Sequence, residues 1–249
     1  MNRISATLAV LATAALATAA PPARAVSVAL PAAKGFAECA TSAGNIDDAS
    51  FCQTATDLAQ VTQAPFAGAH AEATYPGGFA VAQAGAIAIL TYYWTFEGGT
   101  PGNMLPVDIS VNLGITSFGS NNAFGFASVT VGTIQGNSQV CVYTFDGCAQ
   151  GSHGFSGTMR VMARSGDVNT IVIEAEASGV FSPDANGGTA FADPHIFLDP
   201  AFASAANYQL RISDGVSNDL APIPEPASAA LLAAGMAGLA GVLVRRRRR

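Results

Sequence analysis

The sequence predicts an all-β protein, a single jelly-roll-like antiparallel β-sandwich set between two apolar terminal segments. Three observations predict it. Runs rich in β-branched and aromatic residues recur roughly every 10–20 residues, with glycine-rich breaks between them. In the clearest run, Val107, Ile109, Val111 and Leu113 alternate with Asp108, Ser110 and Asn112, which is the period of a strand buried on one face. Removing the terminal segments leaves about 200 residues, enough for one sandwich with an N-terminal extension.

Taken in order, the chain opens with Arg3, an alanine-rich apolar run from Ile4 to Ala20 and a small-x-small site at Ala23-Arg24-Ala25. Residues 1–25 therefore read as a signal peptide, with a mature start at Val26. Residues 26–75 read as a mostly irregular extension. Within it Ile46 to Val61 has a weak helical pattern, with Asp47 as cap and Leu58 and Val61 three apart. Residues 76–217 read as the sandwich. Phe79 to Phe96 is a long apolar strand ending in Leu90-Thr91-Tyr92-Tyr93-Trp94-Thr95-Phe96, and Glu97 to Asn103 stops it with turn residues. Strands follow around Val107–Leu113, Val129–Val131 and Val140–Val142, with a turn at Phe145-Asp146-Gly147.

Gly157–Arg164 and Thr170–Ala177 read as strands, joined in a hairpin over Met159–Glu176. Pairing Arg164 with Thr170 puts Arg160 opposite Glu174 and leaves Val161, Ala163, Ile171, Ile173 and Ala175 on one apolar face, so that register separates core from solvent. Its turn is Gly166-Asp167-Val168. The stretch Ala192 to Pro200 repeats Asp-Pro around a short apolar strand, His195–Leu198, as suits an edge strand. Tyr208–Ile212 reads as the last strand. Residues 218–226 form a proline-rich linker.

Ala227 to Val244 is 18 residues without a charge, followed by Arg245 to Arg249. A helix of that length spans roughly 27 Å, just enough for a bilayer core. The arginines should stay cytoplasmic, which places everything before Pro222 outside the cytoplasm. A plain tail anchor is the alternative. Between Val26 and Pro226 stand four basic residues, Lys34, Arg160, Arg164 and Arg211, against all 17 acidic ones, a net charge of −13. So acidic a surface repels nucleic acid.

Cys39, Cys52, Cys141 and Cys148 are an even set in an exported chain and argue for two disulfides. Three connectivities exist, and proximity favours Cys39–Cys52 and Cys141–Cys148. Zinc is disfavoured, because the spacings are not CxxC and His70, His153 and His195 fall in no ligand pattern.

No catalytic constellation stands out, and the expectation is a non-enzyme without a cofactor. G-x-S-x-G and HExxH are both absent, and the glycine-rich stretch from Gly114 to Gly125 lacks the lysine of a phosphate loop. Glu174 and Glu176 lie on one strand face about 7 Å apart, a spacing any alternating strand produces. The best calcium candidate is Asp184 with Asn186 in Asp184-Ala185-Asn186-Gly187-Gly188, although an Asn-Gly turn explains it better. For glycan stacking the candidates are Tyr92, Trp94 and Phe96 on one face of a strand, with Tyr93 on the other and Tyr143 elsewhere.

The C-terminal elements carry a resemblance. Pro224-Glu225-Pro226, the Ala/Gly/Leu helix and Arg245, Arg246, Arg247, Arg248 and Arg249, in that order, resemble the PEP-CTERM sorting signal of Gram-negative bacteria. The resemblance covers about a tenth of the chain. It implies recognition by an exosortase, a membrane cysteine transpeptidase-like enzyme. It also implies anchoring in the inner membrane with the domain in the periplasm, then transfer to the outer surface or an exopolysaccharide and biofilm matrix. Segments similar to Ala192–Pro200 and Ala206–Val216 precede such signals and suggest a closing hairpin of the sandwich. Two function classes follow: a non-catalytic surface or matrix protein, or a carbohydrate-binding or carbohydrate-acting jelly roll. An adhesin or surface-layer subunit differs from the first chiefly in self-association.

Overall fold

Alternation of small apolar and polar side chains makes strands of nearly the whole exported portion. The computed structural model describes residues 27–41, 44–78, 83–119, 123–145, 148, 153–180 and 182–219. The described residues form thirteen strands: β1 (Lys34–Thr41), β2 (Gly44–Asp48), β3 (Phe51–Gln53), β4 (Asp57–Thr62), β5 (Gly68–Tyr75), β6 (Gln83–Gly98), β7 (Met104–Phe118), β8 (Phe124–Thr133), β9 (Gly136–Tyr143), β10 (Gly154–Arg164), β11 (Asn169–Val180), β12 (Asn186–Leu198) and β13 (Tyr208–Ile212). They form two antiparallel sheets. One runs β2-β1-β6-β11-β8-β9 with β13 also on β6, and the other β10-β7-β12-β5-β4-β3.

The inner faces meet in one core. Val107, Ile109, Val111 and Leu113 are all at most 2% exposed, as their alternation requires. The core is uneven along the strands. Around Trp94, Tyr92, Leu90, Leu105 and Ile171 it is filled by large side chains. Toward the other end, Ala37, Ala88, Ala175 and Ala127 stand in one row across four strands. There the sheets come close enough that a Cβ on Gly125 would lie 2.7 Å from the Thr189 carbonyl oxygen of the opposite sheet. Small residues at one end and aromatic ones at the other give the core a taper, because packed interiors leave no gaps to absorb the volume difference.

Four expectations need correction. Residues 26–75 are not mostly irregular: β1 to β5 lie there and enter both sheets. Ile46 to Val61 is no helix but the end of β2, all of β3 and most of β4. The alternation Asp57, Ala59, Val61 inward outweighs a two-residue helical spacing. Met159–Glu176 is not a hairpin. β10 pairs with β7, while β11 pairs with β6 and β8, so the turn carries the chain from one sheet to the other. Its backbone is tied outward, Gly166 N–H to the Phe96 carbonyl and Ser165 N–H to that of Asn103. Val161, Ala163, Ile171, Ile173 and Ala175 still face the core, since an arch and a hairpin demand the same parity. Arg160 pairs with Asp108 at 2.7 Å and Asp199 at 2.8 Å, not with Glu174.

The fourth is the closing hairpin, whereas the edge reading of His195–Leu198 holds. Through Ala192 β12 is an interior strand between β5 and β7; from Asp193 to Leu198 it is paired on the β7 side only. The edge reading thus applies to its second half, where Pro194 loses no ladder bond. β12 and β13 lie in different sheets, so they form no closing hairpin.

Both disulfides join as sequence proximity favours. Cys39–Cys52 links β1 to β3 and therefore one sheet to the other, and Cys141–Cys148 closes the loop after β9.

Candidate functional site: the C-terminal exit and the outer face of the larger sheet

After β13 the chain crosses from one sheet to the other. Ser213 still belongs to the first: its N–H donates to the Tyr93 carbonyl at 2.9 Å and its hydroxyl to the Pro31 carbonyl at 2.7 Å. Ser217 N–H then donates to the Gln63 carbonyl at 2.8 Å. Asn218 reaches the open edge of β12. Its Oδ1 accepts from Ile196 N–H at 2.9 Å, and its Nδ2 donates to the Ile196 carbonyl at 2.7 Å. One side-chain amide thus replaces both bonds of a neighbouring strand at that residue. His195 Nδ1 bonds the Asn218 carbonyl oxygen, and Asn218 bridges Phe66 through its backbone. Of the three histidines, His195 is therefore part of this clasp. His153 is exposed just before β10. His70 lies on β5, and burial pushes its imidazole down, partly offset by Glu72.

The outer face of the larger sheet carries the paired carboxylates. Register sets Glu38, Ile87, Glu176, Phe126 and Tyr143 in one row across five strands. Glu174 stands one row along, beside Ser128. Burial raises both carboxyls above the usual range. A Ser128 hydrogen bond pulls Glu174 partly back, whereas Glu174 and Glu38 push Glu176 further up. Tyr143 is ringed edge-on by Phe124, Phe126 and Phe145, with centroids 5.5–5.9 Å away. Beside them Glu38, Asn45, Gly85, Ile87, Glu176 and Ser178 line a depression of about 210 Å³. Sequence reasoning missed Phe124, Phe126 and Phe145, although Phe124 and Phe126 have the parity opposite to Val129 and Val131.

The stacking candidates are elsewhere. Tyr92, Trp94 and Phe96 are 1%, 0% and 3% exposed, inside the core, and no glycan can stack on them. Tyr92 is so enclosed that burial, with Asp193 nearby, pushes its phenol far up. Their face is the inner one because the inward parity of Leu90 continues through the strand.

Asn186 does not present a calcium ligand. It is fully buried, its Oδ1 accepts from Val180 N–H at 2.8 Å, and its Nδ2 donates to the carbonyls of Val180 at 2.8 Å and Asp184 at 3.2 Å. That side chain latches the turn from β11 to β12 while Asp184 stays exposed. Among the described residues no group of three or more His, Cys, Asp or Glu is arranged to hold a metal ion, and no helix is long and apolar enough to cross a membrane.

The signal peptide expected at residues 1–25 and the segments of residues 222–249 lie outside the described residues. In the comparison with known families, residues 222–249 match the PEP-CTERM protein-sorting motif. The chain carries a PEP-CTERM sorting motif. That motif is a substrate signal for exosortase processing, and it implies an exported protein held at the membrane by its C-terminus before processing. The match begins four positions after Asn218, the last described residue bonded to a strand. No curated protein matches the chain.

Proposed function

We propose that this is a non-catalytic surface or extracellular-matrix protein, associated with exopolysaccharide and biofilm. In this reading it works without a cofactor on a jelly-roll-like scaffold and reaches the matrix after exosortase removes its anchor. The observation that carries the reading is the sorting motif at residues 222–249, directly behind a sandwich stapled by two disulfides. A route through the periplasm supplies the oxidising conditions such bonds need. The acidity of the exported portion, with four basic residues against all 17 acidic ones, suits a soluble matrix component and not a nucleic-acid binder. The test is deletion of residues 222–249 in the producing cells. The reading expects the protein to leave the matrix fraction and accumulate in the periplasm; unchanged matrix association would overturn it.

A second reading, carbohydrate binding, moves from the buried aromatics to the outer face. There Phe126 and Tyr143 adjoin Glu176 and the depression beside Glu38, a combination of ring surface and hydroxyl-accepting carboxylates that suits a sugar. Tyr143→Ala should weaken retention on the matrix polysaccharide without moving thermal stability by more than a few degrees. Equal retention would remove this reading.

A further inference from the structure

The sandwich ends in a clasp, and the clasp lies next to the processing signal. Asn218 is fixed at both its side-chain atoms to Ile196 and at its carbonyl to His195. Pro222 follows four positions later and Ala227, where the apolar stretch starts, nine positions later. At a maximum of about 3.5 Å per residue, the lead from the clasp to Pro222 is at most about 14 Å, and to Ala227 about 32 Å. A sheet of six strands is about 24 Å across at about 4.8 Å between neighbours, so the body of the domain is wider than the lead to Pro222. An enzyme acting on the motif at the bilayer therefore works against the side of the sandwich.

Opening the clasp changes this geometry stepwise. Once Ser217 also leaves Gln63, the next residue held is Ser213 on the opposite sheet, through Tyr93 and Pro31. From there the lead to Pro222 is nine residues and at most about 32 Å, more than twice as long. The bonds of Asn218, Ser217 and His195 are few, lie at the end of the chain and cross an open strand edge. Such contacts open locally at a fraction of the free energy of global unfolding.

We propose that Asn218 is a positioning residue for C-terminal processing: its clasp on the open edge of β12 holds the sorting motif on a short lead, and release of the clasp admits the processing enzyme. The proposal rests on the exosortase reading and adds to it a rate control built into the fold. Asn218→Ala removes both bonds to Ile196. A second variant inserts five Gly/Ser residues between Asp219 and Leu220 and lengthens the lead while the clasp stays intact.

The experiment is pulse-chase in the producing cells, following conversion of the full chain to the form lacking Arg245–Arg249. Amide exchange at Ile196 in the full chain in detergent reports the clasp itself. The expected result is severalfold faster conversion for both variants, with exchange at Ile196 accelerated in Asn218→Ala only. If Ile196 is deprotected and conversion keeps its wild-type rate or slows, the clasp does not limit processing and the proposal is overturned. If the insertion fails to speed conversion, lead length is not limiting and the proposal is likewise overturned. If the wild-type chain is never converted, even with residues 222–249 intact, the exosortase reading itself fails, which the other two outcomes leave standing.

Discussion

Replacing Asn186 with alanine should destabilise the fold substantially, and the size follows from its bonds. The side chain is fully buried and makes three hydrogen bonds, two of them to the N–H and the carbonyl of Val180. Alanine leaves those two backbone groups without their partners. Each unsatisfied buried group costs about 1–3 kcal/mol, and Val180 is only half-buried, so water recovers part of the loss; we expect about 2–3 kcal/mol in all. For a domain of this size 1 kcal/mol shifts Tm by about 2–4 °C, so the drop should be about 4–12 °C. The assay is thermal unfolding followed by fluorescence of Trp94, the chain's single tryptophan and a fully buried one. Asn186→Asp discriminates further. A carboxylate facing the carbonyls of Val180 and Asp184 destabilises the latch, whereas at a calcium site it would raise Tm when calcium is added. A shift under 1 °C for Asn186→Ala, or calcium-dependent stabilisation of Asn186→Asp, would refute the latch.

Three other outcomes follow from the same geometry. Glu174 and Glu176 have carboxyls raised by burial, so over the window from the ordinary glutamate value up to their raised native values the folded state binds more protons than the unfolded one, and their contribution to stability falls as pH rises. Glu176→Gln should therefore raise Tm at pH 7, with the gain disappearing below about pH 4, where both states are protonated; a gain that grows toward low pH contradicts this. A Cβ at Gly114 would enter the Phe191 ring that lies across it, but that ring is 40% exposed and can swing out, so Gly114→Ala should cost less than about 1 kcal/mol and, in a double-mutant cycle, nothing once Phe191 is also alanine; a cost of several kcal/mol would show that the ring is held in place. Replacing Cys39 and Cys52 by alanine should cost about 3 kcal/mol in the chain-entropy model, and Cys141 with Cys148 about 2.5 kcal/mol because that loop is shorter, as urea unfolding of the oxidised variants would measure.

Much of the fold was legible because alternation is a local signal. Val107 to Leu113, Val161 with Ala163, and Ile171 to Ala175 all face inward as their spacing requires. Pairing was not legible. Parity says which face a side chain takes but not which strand lies beside it, so the turn at Gly166 reads equally as a hairpin or as an arch between sheets. Arg160 illustrates the difference: two carboxylates, Asp108 and Asp199, sit where the arch takes it, while the hairpin offered Glu174 alone. The strands before Tyr75 were missed because alanine carries little strand preference, and Ala69, Ala71 and Ala73 become strand residues only when buried between sheets.

The candidate site divides in the same way. The sorting motif was legible since its three elements are contiguous in sequence. The clasp was not, because Asn218 and Ile196 are 22 residues apart and nothing local to either marks the pairing. Tyr92, Trp94 and Phe96 gave a stacking face by periodicity, but periodicity is silent on whether a face is inner or outer when both are apolar. Tyr143 was visible as a residue, and its ring of Phe124, Phe126 and Phe145 required the register of β8 with β9.

The central claim is that the chain is an exported, doubly cross-linked sandwich sorted through its C-terminal motif. Intact mass of the native protein from membrane and matrix fractions, with and without reduction, tests it most directly. The account predicts a matrix species starting at Val26, lacking Arg245–Arg249 and gaining about 4 Da on reduction, as two disulfides require. A matrix species that retains Arg245–Arg249, or one whose mass reduction leaves unchanged, would contradict it.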